Sequence, residues 1–218
     1  MGNNNEILLK IAEALIGFDK KACIALAKQA IEQGVDPVEV ISVLRNRIEI
    51  IGNQFKNNEI FLPELVGAGA AMEGAMGILN DEILRRGTKR ETLGVVVIGT
   101  VYGDLHTIGK GMVSTLLMAE GFEVNDIGIN VPAEKFLEEI DKHQASILAM
   151  SSLLTTTAPE QEKVIRALEE QGWRDKVKVM VGGGAVTKEF AARIGADGYA
   201  PSAPLAVDLA KELMGIRD

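Results

Sequence analysis

Residues 94–110 read GVVVIGTVYGDLHTIGK, and this stretch decides the fold. It begins with a short run rich in valine and isoleucine, which is typical of a strand buried on both faces of a parallel sheet. A polar, glycine-containing segment follows, and an amphipathic stretch begins near residue 109. The pattern therefore predicts a strand, a loop and a helix, in that order.

The same alternation continues toward the end of the chain. Further apolar runs, separated by amphipathic stretches, lie near residues 122–127, 146–151, 177–181 and 197–199. Strands that alternate with helices in this way predict an α/β fold with a doubly wound, five-stranded parallel sheet. We expect the flavodoxin-like (Rossmann-like) strand order 2-1-3-4-5.

The first part of the chain has a different pattern, in which apolar residues recur every three or four positions. Four helices fit this spacing, near residues 5–17, 19–33, 37–56 and 62–85. One apolar stripe on each helix suits a small antiparallel four-helix bundle. We therefore predict a helical domain at 1–86, a basic, glycine-containing linker at 87–92, and an α/β domain at 93–218.

The composition excludes several classes of protein. The chain has 23 Lys and Arg against 31 Asp and Glu, a net charge of −8, whereas nucleic-acid-binding proteins usually carry a basic face. Its apolar runs fall short of the roughly 18 residues of a membrane span. The single cysteine, Cys23, cannot form an internal disulfide and favours a reducing compartment. We expect a cytoplasmic protein that binds neither nucleic acid nor membranes.

Three loops with unusual residues follow the first, third and fourth predicted strands. They contain Asp104 and His106, the Ser/Thr-rich segment 151–157, and the glycines at 182–184. Ligands of open parallel sheets bind beyond the carboxyl ends of the strands, where the strand order reverses. These loops should therefore line one crevice.

His106 is the candidate metal ligand. A carboxylate two residues away, Asp104, would fix the tautomer of the imidazole and make its free nitrogen a better donor. Zinc would need three or four protein ligands, and the sequence has no second His or Cys close by. A metal with one protein ligand takes its other donors from a cofactor such as a macrocycle. A structural loop histidine is the alternative, and His143, at the end of a predicted helix, is interpreted as a surface residue.

The spacing of these residues resembles that of a known family. The pattern is Asp104-x-His106-x-x-Gly109, 41 residues, Ser151-x-Leu153, 28 residues, and Gly182-Gly183. It is similar to the signature of cobalamin-binding domains of the methionine-synthase type. The segment 61–65, FLPEL, and the small-residue helix after it look like the helical cap of such domains. Nearly the whole chain then resembles the corrinoid proteins of three-component methyltransferase systems.

The resemblance implies a cobalamin cofactor, whose cobalt alternates between methylcob(III)alamin and cob(I)alamin. His106 would bind the cobalt from its lower face, and Asp104 would hold His106 by a hydrogen bond. Ser151 would either complete this relay or face the nucleotide tail of the cofactor, and both readings stay open. The resemblance therefore assigns a part in the chemistry to Asp104, His106 and Ser151.

The resemblance also implies cofactor contacts over three loops and the helical domain. Gly182 and Gly183 lack a Cβ and would let the backbone approach the tail, as Gly109 would at the corrin edge. Further implied contacts are Gly103, Leu105, Thr107, Ile108, Leu153, Thr155 and Tyr199. Phe61 would lie over the methyl group. Met72 would contact the cofactor or pack in the bundle. The flat side of its helix, formed by the glycines and alanines at 67–71, 74, 75 and 77, would accept the macrocycle or a neighbouring helix.

A methyl carrier implies partner enzymes, because it is not expected to catalyse the transfer alone. The resemblance implies a substrate-specific methyltransferase, a second methyltransferase that uses tetrahydrofolate or coenzyme M, and a reductive activase. The donor (a methylamine, methanol, a methoxylated aromatic or a quaternary amine) would bind to the partner. Alternatives are a cobalamin- or light-sensing module, which usually adds a DNA-binding domain, and the small subunit of an adenosylcobalamin mutase, which generally lacks the cap. A ligand-free flavodoxin-like domain would leave the spacings unexplained.

Overall fold

The computed structural model of the protein describes residues 2–87 and 92–216. The chain forms two compact units. The first unit contains Met1–Glu91 and Met118–Gly121, and the second contains Thr92–Leu117 and Phe122–Asp218. Most of the predicted linker, residues 88–91, lies outside the described residues, so the linker and the domain boundaries stay a prediction.

Four helices are described in the first unit, as the sequence predicts. They are α1 (Gly2–Ile16), α2 (Lys20–Glu32), α3 (Pro37–Lys56) and α4 (Leu62–Arg86). Two of them begin at aspartates whose side chains satisfy N–H groups that the first helical turn leaves without a partner. Asp19 accepts a hydrogen bond from the backbone of Ala22 at 2.9 Å, and Asp36 accepts one from Val38 at 3.0 Å.

The flat side of α4 packs against α2 and the turn before it. A Cβ built on Gly74 would lie 3.0 Å from Ile24, and one built on Gly67 would lie 3.1 Å from Phe18. A neighbouring helix, rather than a macrocycle, therefore occupies this part of the flat side. Met72 is buried in the bundle with 1% exposure, so the predicted contact of Met72 with the cofactor is replaced by core packing.

The second unit has five parallel strands and, except for the last residues of α5, the remaining helices. The strands are β1 (Val95–Thr100), β2 (Glu123–Asp126), β3 (Ile147–Ser151), β4 (Lys178–Gly182) and β5 (Gly198–Tyr199). The helices are α5 (Ile108–Glu120), α6 (Ala133–His143), α7 (Pro159–Glu170), α8 (Lys188–Arg193) and α9 (Ala203–Leu213). The strand order is β2-β1-β3-β4-β5, which confirms the predicted fold class and order.

The register of the central strands explains both the core and the site. Val97, Leu148 and Val179 lie side by side on β1, β3 and β4 and are fully buried, as expected for a sheet covered on both faces. The same register places Thr100 beside Ser151 and Ser151 beside Gly182 at the carboxyl ends. The loops that follow these three strands therefore begin at one edge of the sheet.

His143 belongs to an ion-pair cluster on α6, away from the carboxyl ends of the strands. Its Nε2 lies 3.0 Å from Oε2 of Glu139. The carboxylate of Glu139 also forms ion pairs with Lys135 at 2.7 Å and with Lys142 at 3.0 Å. The hydrogen bond from Lys135, with help from Lys142, lowers the pKa of Glu139 to about 2 against the effect of burial. His143 thus contributes to the surface of a helix, in agreement with its interpretation.

Among the helices of the described chain, none combines the length and the apolar character that crossing a bilayer requires.

Candidate functional site

A cavity of about 780 Å³ opens at the carboxyl edge of the sheet in the second unit. The loops after β1, β3 and β4 contribute to its wall, together with the start of α5 and the segment that leads from β5 into α9. Ten of the residues that the resemblance implies as contacts line this cavity: Leu105, His106, Thr107, Ile108, Gly109, Ser151, Leu153, Gly182, Gly183 and Tyr199. The three loops therefore form one crevice.

The other implied contacts lie elsewhere in the described chain. Gly103 and Thr155 are exposed but are not part of the cavity lining, and Asp104 is completely buried next to it. Phe61, in the helical unit, is 75% exposed, so its ring is accessible to a ligand. Its place over a methyl group stays a prediction.

His106 is held by Asp104 in the orientation that a metal ligand needs. Nδ1 of the ring lies 2.7 Å from Oδ1 of Asp104, and the same oxygen accepts a hydrogen bond from the backbone N–H of His106 at 3.0 Å. The side chain of His106 is 51% exposed and lines the cavity, whereas Asp104 is fully buried. The pair thus joins an accessible imidazole to a carboxylate in the interior.

The second oxygen of Asp104 is held by the loop after β3. It accepts hydrogen bonds from the backbone N–H of Leu153 and the hydroxyl of Thr157, both at 2.8 Å. The hydroxyl of Ser152 lies 3.5 Å from this oxygen and 2.8 Å from the Thr157 hydroxyl. In the described chain, Thr157 and Ser152 therefore take the place in the relay for which Ser151 was a candidate, and Ser151 lines the cavity instead.

These contacts keep Asp104 ionised. Burial alone would raise the pKa of its carboxyl group, but hydrogen bonds from His106, Thr157 and Leu153 outweigh burial and hold that pKa well below its usual range. An ionised carboxylate only accepts hydrogen bonds, so the proton between the two side chains resides on Nδ1 of His106. In the neutral ring, the lone pair then belongs to Nε2.

The glycine pair at the end of β4 lies against the backbone of two neighbouring loops. Gly183 has a φ of +116°, and a Cβ built on it would lie 1.9 Å from the carbonyl oxygen of Ser152. A Cβ on Gly182 would lie 3.1 Å from the carbonyl oxygen of Ala200. The sequence interpretation expected these glycines to make room for a cofactor tail, and the structure adds that they let two protein loops meet.

Gly109 differs from this pair, because a Cβ built on it would have no atom within 4 Å. It lies in the first turn of α5 and lines the cavity, so the wall is open at this point. The open space fits the implied role of Gly109 at the edge of a ligand.

A buried ion pair at the cavity wall was not expected from the sequence. Lys110, which is 4% exposed and lines the cavity, contacts the carboxylate of Asp126 at the end of β2. Asp126 also accepts a hydrogen bond from the backbone of Gly128 at 2.9 Å. The lysine directly follows Gly109 in the sequence, but nothing in the pattern linked it to an aspartate sixteen positions later.

The chain is similar to known proteins over almost its whole length. Family models described as B12 binding domain match residues 94–208 and 7–80. The chain is 42% identical to the dimethylamine corrinoid protein 1 of Methanosarcina mazei, over 98% of this chain and 99% of that protein. It is 38% identical to the trimethylamine corrinoid protein of Methanosarcina barkeri, over 99% of this chain and 100% of that protein.

Among solved structures, the fold matches a chain of the methanol:cobalamin methyltransferase complex MtaBC of Methanosarcina barkeri with a TM-score of 0.76. The two chains are 30% identical, and the match covers 96% of this chain and 80% of the other. The similarity therefore extends from sequence to structure and includes both the helical and the α/β part.

Proposed function

Because this chain belongs to the family of corrinoid proteins with a B12 binding domain, we propose that it carries methyl groups between a methylamine methyltransferase and a second methyltransferase. The observation that carries the proposal is the Asp104–His106 pair at the wall of the cavity, where a fixed imidazole is accessible from one side. The relatives support the same function, since they are named corrinoid proteins and match over nearly their full length.

The residues of the cavity fit a corrinoid. In residues 2–87 and 92–216, no cluster of three or more His, Cys, Asp or Glu side chains could hold a metal ion. A lone imidazole such as that of His106 suits a metal whose remaining donors come from a macrocycle. The wall is open at Gly109, and Gly182 and Gly183 line the same cavity, so backbone without a Cβ faces the space that a corrinoid would occupy.

Bound here, the corrinoid supplies the metal that takes up the methyl group and gives it away. His106 would offer Nε2 as a donor to the metal, since Asp104 keeps the proton on Nδ1. Thr157 extends the hydrogen-bonded chain from the carboxylate to the buried hydroxyl of Ser152.

We propose a methylamine as the source of the methyl group. Relatives that are 42% and 38% identical are named for dimethylamine and trimethylamine, whereas the protein named for methanol is 30% identical. The first partner would then be the methyltransferase specific for that amine. The second partner would use coenzyme M or tetrahydrofolate, and a reductive activase would restore the metal after oxidation.

A methyl-transfer assay tests this function. The protein, loaded with reduced corrinoid under anaerobic conditions, is mixed with a dimethylamine or trimethylamine methyltransferase, the amine, and a second methyltransferase with coenzyme M or tetrahydrofolate. We expect methylated acceptor to form only when this protein is present and to decrease by roughly 100-fold with His106→Ala, since the metal would lose the protein donor that Asp104 orients. His143→Ala is the matched control and should transfer at the wild-type rate.

Three outcomes would contradict the proposal. Transfer from methanol without transfer from either amine would exclude the methylamine donor. Preferential and stable retention of adenosylcobalamin over methylcobalamin would favour a mutase subunit. A protein that transfers no methyl group but changes its oligomeric state in light would be a sensor.

A further inference from the structure

We infer that Asn130 is a positioning residue for His106, an inference that rests on the proposed corrinoid site. Asn130 lies in the loop between β2 and α6, and its side-chain Oδ1 accepts a hydrogen bond from the backbone N–H of Gly103 at 2.7 Å. Its own backbone N–H donates to the carbonyl oxygen of Asp104 at 3.0 Å. Asn130 therefore contacts both ends of the Gly103–Asp104 dipeptide.

The backbone of Asn130 explains why asparagine suits this place. Its φ is 54°, in the left-handed region, and its partner Gly103 has a φ of 79°. Asparagine is one of the few residues other than glycine that adopt this conformation at low cost. Glycine would share the conformation but would lack the oxygen that binds the N–H of Gly103.

Asn130 is itself anchored to the end of β1. The backbone N–H of Thr100 donates to the carbonyl oxygen of Gly128, and that of Val131 donates to the carbonyl oxygen of Thr100, both at 3.0 Å. The loop that carries Asn130 is thus hydrogen-bonded to the buried strand β1 both before Asn130, at Gly128, and after it, at Val131. Through its own backbone N–H, Asn130 in turn holds the carbonyl oxygen of Asp104.

Asp104 is consequently held from two sides. The loop after β3 holds its carboxylate through Leu153 and Thr157, and Asn130 holds its main chain. Held in this way, the carboxylate lies 2.7 Å from Nδ1 of His106. Without the side chain of Asn130, the turn at Gly103 loses one anchor, and the ring should spend less time in the orientation that ligates the metal.

The experiment compares Asn130→Gly, which keeps the left-handed backbone, with Asn130→Asp, which also restores an oxygen acceptor. Asn58→Gly is the matched control, because Asn58 is an exposed asparagine with a φ of 60° in the helical unit. Two quantities are measured. The first is the hydrogen-exchange rate of the Gly103 amide in protein without corrinoid, and the second is the histidine-ligated fraction of bound cob(II)alamin by electron paramagnetic resonance.

We expect Asn130→Gly to speed the exchange of the Gly103 amide by about fivefold or more and to lower the histidine-ligated fraction, because an N–H has lost its acceptor. Asn130→Asp should bring both quantities back toward the wild-type values. Asn58→Gly should change neither of them.

The positioning role is overturned if Asn130→Gly keeps the wild-type ligated fraction, whether or not the amide exchanges faster. It is also overturned if Asn130→Asp is as impaired as Asn130→Gly, since the acceptor oxygen would then not be the cause. A wild-type protein without histidine-ligated cobalt would overturn the proposed function, and the positioning role with it. A failure confined to the variants overturns the positioning role alone.

Discussion

Replacing Gly183 with alanine is expected to destabilise the α/β unit by about 3 kcal/mol or more and to abolish corrinoid binding. The added Cβ would lie 1.9 Å from the carbonyl oxygen of Ser152 and 2.6 Å from its carbonyl carbon. These are backbone atoms, so no side-chain rotation relieves the clash. The φ of +116° is in addition a conformation that L-residues rarely adopt. One of the two loops must therefore move, and both loops line the cavity.

Gly184→Ala is the matched control for this prediction. Its Cβ would meet Leu153 at 2.6 Å, but at the end of a flexible side chain that can rotate away. Urea unfolding of the corrinoid-free proteins measures the free energy of unfolding, and titration with hydroxocobalamin measures binding. We expect Gly184→Ala to lower the free energy of unfolding and the affinity for hydroxocobalamin much less than Gly183→Ala does. A Gly183→Ala protein within about 0.5 kcal/mol of the wild type, with normal binding, would show that the two loops do not meet as described.

Replacing Asp104 with alanine should have a comparably large effect, a loss of about 3 kcal/mol in the free energy of unfolding. The carboxylate is fully buried and is the acceptor for the Leu153 N–H and for His106, as well as for the Thr157 hydroxyl. Its removal takes the acceptor from the N–H groups of Leu153 and His106, whereas the Thr157 hydroxyl can still donate to the carbonyl oxygen of Leu154. Affinity for the corrinoid should fall about 10- to 100-fold, because the ring of His106 is no longer oriented.

Asp104→Asn separates the loss of charge from the loss of shape. The amide oxygen can still accept from His106, but the amide nitrogen would then face the N–H of Leu153, where two donors cannot pair. We expect thermal unfolding and corrinoid titration to give values between those of the wild type and Asp104→Ala. Equal stability and affinity for all three proteins would contradict the hydrogen-bond network around Asp104.

The fold was predictable because local patterns and global topology agree. The apolar runs that predict strands correspond to β1 to β5, and their alternation with helices predicts the parallel sheet. The strand order does not follow from the alternation and was expected from the flavodoxin-like fold. The position of His106 followed in the same way, since the carboxyl ends of neighbouring parallel strands meet at one edge. In the helical part, spacing identified the helices. The same spacing does not distinguish a core residue from a ligand contact, so the sequence left open whether Met72 contacts the cofactor or packs in the bundle.

The partners of Asp104 were harder to predict. Ser151, Ser152 and Thr157 belong to one Ser/Thr-rich loop, and the sequence does not show which hydroxyl turns inward. The loop turns where the N–H of Thr157 donates to the carbonyl oxygen of Leu154. This turn places the Thr157 hydroxyl next to the carboxylate of Asp104. No periodic pattern in the sequence indicates a role for Asn130, because that role depends on a left-handed φ that only the structure reveals.

The most direct test of the central claim is the electron paramagnetic resonance spectrum of the protein loaded with Co(II) corrinoid. We predict splitting by a single axial nitrogen, as a triplet in protein of natural isotope composition and as a doublet when the histidines carry the heavy nitrogen isotope. In the labelled protein, the doublet should disappear in His106→Ala and persist in His143→Ala. A triplet that survives isotopic labelling of the protein, or a spectrum that His106→Ala leaves unchanged, would show that the axial nitrogen does not come from His106.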